Sequence, residues 1–250
     1  MPRYFIEISY NGTHYCGWQT QPNGITVQEV LDKNLSTLLR TTIATVGAGR
    51  TDTGVHATQL FAHFNCDEIS NLSKTINSLN RMLPHDIAVQ NILPVGEEAH
   101  ARFDAIARTY HYFVHNYKNP FLQDSSTLLY ANVDVDLMNQ AAQLLLNYTD
   151  FTSFSKLHTE VKTNNCTVTK AVWTVENNQL KFTITANRFL RNMVRAIVGT
   201  LLDVGKGKIS VAQFEQIITN KNRALASESA PAKGLYLVEI QYPEGYFFVN

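Results

Sequence analysis

From residue 3 to residue 10 the chain alternates Tyr4, Ile6, Ile8 and Tyr10 against Phe5, Glu7 and Ser9, the period of two that a strand with one polar-leaning face shows. A turn-rich stretch through Asn11, Gly12, Gly17, Pro22, Asn23 and Gly24 follows. Thr26 and Glu29 have capping-box spacing ahead of Val27, Val30, Leu31, Leu35, Leu38 and Leu39, which keep helical spacing. Residues 41–46 (TTIATV) and 58–64 (TQLFAHF) read as strands on either side of a loop. Ser70 is placed to cap a second helix bearing Leu72, Ile76, Leu79, Met82 and Leu83, which Pro84 ends, and residues 86–93 (DIAVQNIL) read as a strand.

This order, β-α-β-β-α-β, is the ferredoxin-like arrangement, which makes an antiparallel sheet with helices on one face. The second half repeats it. Residues 106–115 predict a strand, Asp134 caps a helix through Leu137, Ala141, Leu144 and Leu145, and residues 166–176 and 179–186 predict a hairpin around Asn177-Asn178. A helix over 187–204, a shorter one opening at Ser210 with Val211, Phe214, Ile217 and Ile218, and a strand over 235–242 complete it. The expected fold class is α+β: two ferredoxin-like, RRM-like units forming a joined, mainly antiparallel sheet with a central cleft. Residues 1–100 are expected to form an N-terminal α+β subdomain and residues 101–250 a C-terminal one.

The loop between the predicted strands is Gly47-Ala48-Gly49-Arg50-Thr51-Asp52-Thr53-Gly54-Val55-His56-Ala57. Its glycines permit positive φ and close approach of another chain, and Arg50 and Asp52 carry its chemistry. A lone carboxylate in such a loop is commonly a turn residue. The dinucleotide fingerprint is excluded because Asp52 stands where its third glycine belongs and a strand follows, and no Gly-Lys-Ser or Gly-Lys-Thr ends the run as in a phosphate loop.

Composition narrows the classes. In 250 residues, 21 basic and 21 acidic side chains give a net charge of zero, so any basic surface is local. No apolar run approaches the roughly 18 residues of a membrane span, and the N-terminus passes directly into a strand pattern; a cytoplasmic protein with no membrane association is expected. Cys16, Cys66 and Cys166 form no Cys-x-x-Cys pair and read as small hydrophobes. His111 and His115 have i, i+4 spacing, but in a β-rich run, so no metal site is expected.

On a helix over 187–204, Arg188, Arg191 and Arg195 fall within a sixth of a turn, with no intervening acid. They read as an anion or phosphate surface, or as a plain solvated face. Tyr110 and Tyr112 project from one side of a strand, as stacking aromatics do in RNA-binding sheets and as ordinary core aromatics also do. Lys206-Gly207-Lys208 is a basic turn that reads as a solvated loop.

Taken together, these segments resemble the signatures of the tRNA pseudouridine synthases of the TruA family. The resemblance rests on the residue 47–57 run, the stretch from Tyr10 to Gln19 with Gln21-Pro22-Asn23, Arg108 to Tyr112, Asp150 to Phe154, Phe189 to Arg195, and Gly234 to Leu237. It implies the pseudouridine synthase fold and conversion of uridine to pseudouridine at positions 38, 39 and 40 of the tRNA anticodon arm, without cofactor or metal, by a homodimer. It implies that Asp52 is the catalytic aspartate, with Arg50 and Arg195 as charges around it. Tyr110 then stacks on the target base, and Leu235 lies in the pocket wall. Arg188 and Arg191 become candidate tRNA phosphate contacts.

A carboxylate, ionised as a class at neutral pH, suits this chemistry as a nucleophile or as a stabiliser of a sugar cation. Attack at C1′ of the ribose, attack at C6 of the base and removal of a 2′ proton all stay open. Uridines in a paired stem must also leave the stack, which requires a pocket with a stacking face. Two other readings compete: an RNA-binding module without activity, which leaves the Arg-Thr-Asp loop unexplained, and a small-molecule enzyme using Asp52.

Overall fold

The computed structural model describes residues 1–156 and 163–247, which divide into two compact units, Met1–Ile106 with Leu237–Asn250, and Ala107–Tyr236. The first holds β1 (Arg3–Tyr10), α1 (Val27–Leu39), β2 (Val46–Gly47), β3 (His56–Asn65), α2 (Leu72–Met82) and β4 (Ile87–Val95). The second holds β5 (Ala107–His115), β6 (Thr127–Leu128), α3 (Val135–Leu144), β7 (Val168–Glu176), β8 (Gln179–Ala186), α4 (Met193–Gly205) and α5 (Val211–Thr219). The last strand, β9 (Leu235–Gln241), contains the boundary at Leu237. The fold is mixed α+β, with mostly antiparallel strands.

In the first unit β1 lies between β3 and β4, antiparallel to both, with Ile6 opposite Ala62 on one side and Ile92 on the other. Phe5, expected on a polar-leaning face, is as buried as Ile6, because Tyr242, Tyr246 and Phe247 pack their rings against it. Thr26 caps α1 through Glu29 N, as expected, whereas Asn71 rather than Ser70 caps α2.

The predicted strand over 41–46 shrinks to the two residues of β2. The backbone before it is satisfied by one face of α1 instead of a neighbouring strand. Gln28 Nε2 donates to Thr45 O (2.6 Å), Asp32 Oδ1 accepts from Thr45 N (3.1 Å) and Thr45 Oγ1 (2.6 Å), and Ser36 Oγ accepts from Ile43 N (2.9 Å). These three helix residues stand four apart, the spacing of one helix face.

In the second unit β8 lies between β5 and β7, antiparallel to both, and pairs Ile184 with Tyr110 and Phe182 with Tyr112. The β7–β8 hairpin turns at Asn177 (φ 50°) and Asn178 (φ 59°), two positive φ values that asparagine tolerates. Asp134 caps α3, and Ser210 with Gln213 completes a capping box on α5.

The predicted helix over 187–204 begins only at Met193. Asn192, at φ 65°, has left-handed backbone that a helix cannot pass through, and its Nδ2 donates to Ser229 Oγ (2.6 Å). Upstream, Asn187 exchanges bonds with Thr167, and its carbonyl accepts from Arg108 Nη1 (2.8 Å). The face of three helical arginines therefore does not exist. Arg188 and Arg191 lie on the irregular approach, and Arg195 alone lies in α4. Among the described residues no helix is long and apolar enough to cross a membrane.

Candidate active site

The Asp52 loop is tied at both arms within the first unit. Ala48 N donates to Phe61 O (2.7 Å), continuing the β2–β3 pairing, and Trp18 N donates to Thr51 O (3.2 Å). Tyr10 and Thr51 share a buried hydroxyl–hydroxyl bond of 2.8 Å. On the far side, Val55 N donates to Asp52 O (3.1 Å), Gly54 N to Tyr15 O (3.3 Å), and Gly12 N to His56 Nδ1 (3.1 Å). His56 is thereby held with Nδ1 as acceptor, a structural role.

The segment from Tyr10 to Trp18 is the other half of this clamp. Gly17 sits at φ 83°, and a Cβ there would collide with the Thr51 carbonyl, so no other residue lets these two segments approach this closely. Tyr15 is buried and its hydroxyl donates to Asp86 Oδ1 (2.6 Å), and burial followed by that carboxylate pushes its pKa well above the ordinary phenol range. Asp52 stands half-buried between buried Thr51 and exposed Thr53, and Arg50 is exposed. The loop presents its carboxylate on a held backbone.

In the second unit, Tyr110 is half-buried on β5, its ring edge-on to Phe189 with centroids 5.1 Å apart. Tyr112, two residues on, is a core residue: its hydroxyl pairs with Thr127 Oγ1 (2.6 Å) and donates to Pro231 O (2.8 Å). Of the two candidate stacking tyrosines, Tyr110 remains. Leu235 is buried at the start of β9, directly after a 3₁₀ turn over Ala232–Gly234.

Arg195 lies in the first turn of α4, which contains no acidic residue. A cation at the positive end of a helix is disfavoured, and such broken local rules concentrate at functional sites. Its Nε donates to Ala230 O (2.7 Å) while Ala230 N donates back to Arg195 O (2.9 Å). The guanidinium also acts on Tyr112, whose hydroxyl is raised chiefly by burial, with the arginine opposing.

The segment carrying Ala230 is itself pinned. Arg223 donates to Ala226 O (3.1 Å), Ser227 O (3.2 Å) and Ser229 Oγ (3.2 Å). Neither Arg223 nor Ser229 stands out in the sequence, since no local pattern links them to Arg195. Arg188 is half-buried near Cys166, whose thiol burial pushes up to about 11 against the pull of the arginine, and Arg191 is exposed.

His111 and His115 sit four residues apart on β5, about 13 Å along a strand, too far to share an ion. His115 is buried and bonded to Ser126 Oγ at 3.0 Å. Among the described residues no cluster of three or more His, Cys, Asp or Glu is placed to hold a metal.

A model of the tRNA pseudouridine synthase family matches residues 7–104 and 141–243, most of both units. The chain belongs to this family, whose enzymes are isomerases that make pseudouridine from uridine in tRNA. It is similar throughout its length to proteins called tRNA pseudouridine synthase A. The one from Parabacteroides distasonis is 52% identical over 100% of both chains, and that from Porphyromonas gingivalis 51% identical over 99% of this chain and all of the relative. The protein of that name from Colwellia psychrerythraea is 39% identical over 98% of this chain and 95% of its own.

Proposed function

We propose that this isomerase acts on uridines 38, 39 and 40 of the tRNA anticodon stem-loop, with Asp52 as nucleophile and the target base flipped from its stack. The observation that carries the reading is the half-buried Asp52 carboxylate on a loop tied at both arms. The reaction breaks the N1–C1′ bond and makes a C5–C1′ bond; the C5 proton leaves and N1 gains one, so the product is an isomer. A carboxylate that stands still while the base turns meets this need.

The residue 1–100 subdomain supplies this carboxylate and the residue 101–250 subdomain the groups that receive the base. Tyr110 stacks on it, replacing part of the few kcal/mol lost on unstacking. Leu235 contributes to an apolar wall. Arg50 and Arg195 orient Asp52 and the flanking phosphates, for which the planar guanidinium fork is suited. Arg188 and Arg191 contact further phosphates from the approach to α4. The enzyme works in the cytoplasm as a homodimer and uses neither cofactor nor metal.

The test uses tRNA transcribed with tritium at uridine C5, which is released to water when the C5 bond forms. The native protein is expected to release tritium and to yield pseudouridine at 38, 39 and 40. Asp52→Asn is expected to bind tRNA and release none. Release by Asp52→Asn at the native rate excludes Asp52 as nucleophile, and product elsewhere in the tRNA excludes the assigned positions.

A further inference from the structure

Tyr10 ends β1, where the strand pairing is irregular. Ile8 faces Leu60 but Tyr10 faces Ala57, so β3 carries one extra residue between these pairs. A second shift separates Glu7 from Ile8 against β4. Such bulges bend strands and re-aim side chains beside active sites. Here the result is that the Tyr10 ring, 4% exposed and stacked with Trp18 at 6.5 Å, meets Thr51 through its hydroxyl.

Thr51 is 8% exposed and is the residue immediately before Asp52. Its carbonyl is held by Trp18 N and its side chain by Tyr10, so rotation about its backbone is opposed from both sides. The hydroxyl bond thus restrains the side chain of the residue next to the carboxylate.

We propose that Tyr10 is a positioning residue for Asp52, acting through its hydroxyl on Thr51. The proposal rests on the reading of Asp52 as nucleophile. Loss of the hydroxyl frees Thr51 Oγ1 to rotate and lets the following carboxylate wander from the reacting carbon. A misplacement of about 1 Å is enough to lower a rate by up to about a hundredfold. Binding of tRNA, which draws on many contacts, is unaffected.

The experiment measures single-turnover tritium release and tRNA affinity for native protein, Tyr10→Phe, Thr51→Val, the double variant, Thr51→Ser and Asp52→Asn, with thermal unfolding to establish that each is folded. Tyr10→Phe is expected to lower the rate constant about tenfold with the tRNA Kd unchanged. Thr51→Val does the same, the double variant is no slower than either single one, and Thr51→Ser recovers most of the rate that valine loses. A native rate in Tyr10→Phe, multiplicative losses in the double variant, or a loss confined to Kd overturns the proposal while Asp52→Asn remains inactive. Activity in Asp52→Asn instead overturns the reading of Asp52, and the positioning role falls with it.

Discussion

His63 shows how burial changes what a side chain does. It is buried on β3, stacked on Phe5, and its Nδ1 accepts from Ala101 N at 3.1 Å. Burial, reinforced by nearby His100 and Arg3, lowers its pKa to about 4. Because the unfolded state takes up this proton near pH 6.5 and the folded state only near pH 4, stability is complete above about pH 6.5 and falls as the pH drops between the two. The loss at pH 5 amounts to about 2 kcal/mol. Urea unfolding at pH 7 and pH 5 is expected to show this difference shrink by about that amount in His63→Gln, which keeps an acceptor for Ala101 and cannot titrate. An equal pH dependence in the two proteins excludes His63 as its source.

At the scale of elements, α4 shows tertiary contact overriding helix propensity. Gly199 sits inside the helix, where alanine is favoured by about 1 kcal/mol. Yet a Cβ there would collide with Glu228 O and crowd Ala230 N at 3.3 Å, in the strap that accepts the Arg195 bond. Gly199→Ala is therefore expected to destabilise by about 1–3 kcal/mol in denaturant unfolding, and to slow tritium release by displacing Ala230. A gain in stability shows that the strap moves aside without resistance.

The same scale explains two misread elements. Residues 41–46 are rich in β-branched side chains, as strands are, but side chains from one face of α1 take over the hydrogen bonds of Ile43 and Thr45. The apolar stripe of residues 190–202 is helical in spacing, and Leu190 is indeed buried, but the left-handed Asn192 separates it from α4. Periodicity records which positions are buried, not whether the backbone between them is continuous.

At the scale of the whole molecule, a neutral chain must bind a polyanion with local charge. If Arg50, Arg188, Arg191 and Arg195 each neutralise one phosphate, the slope of log affinity for tRNA against log salt is expected near about −3, and Arg191→Ala reduces its magnitude by about 1. A slope near zero, measured by filter binding across a salt series, removes these arginines from the tRNA contact.

The sequence by itself determined the α+β class and most strands and helices, and it marked the 47–57 loop as the candidate site. Those features are written locally, in period, capping residues and a contiguous run around Asp52. Tertiary structure decided the rest. It buried Tyr112 and left Tyr110 half-exposed, although both share one strand pattern. It separated Arg195 from Arg188 and Arg191, and it brought Tyr10 to Thr51 across 41 residues. The physical reason is that a hydrogen bond or a close contact depends on which surfaces the folded chain brings within about 3 Å, and residues distant in sequence carry no local mark of that meeting.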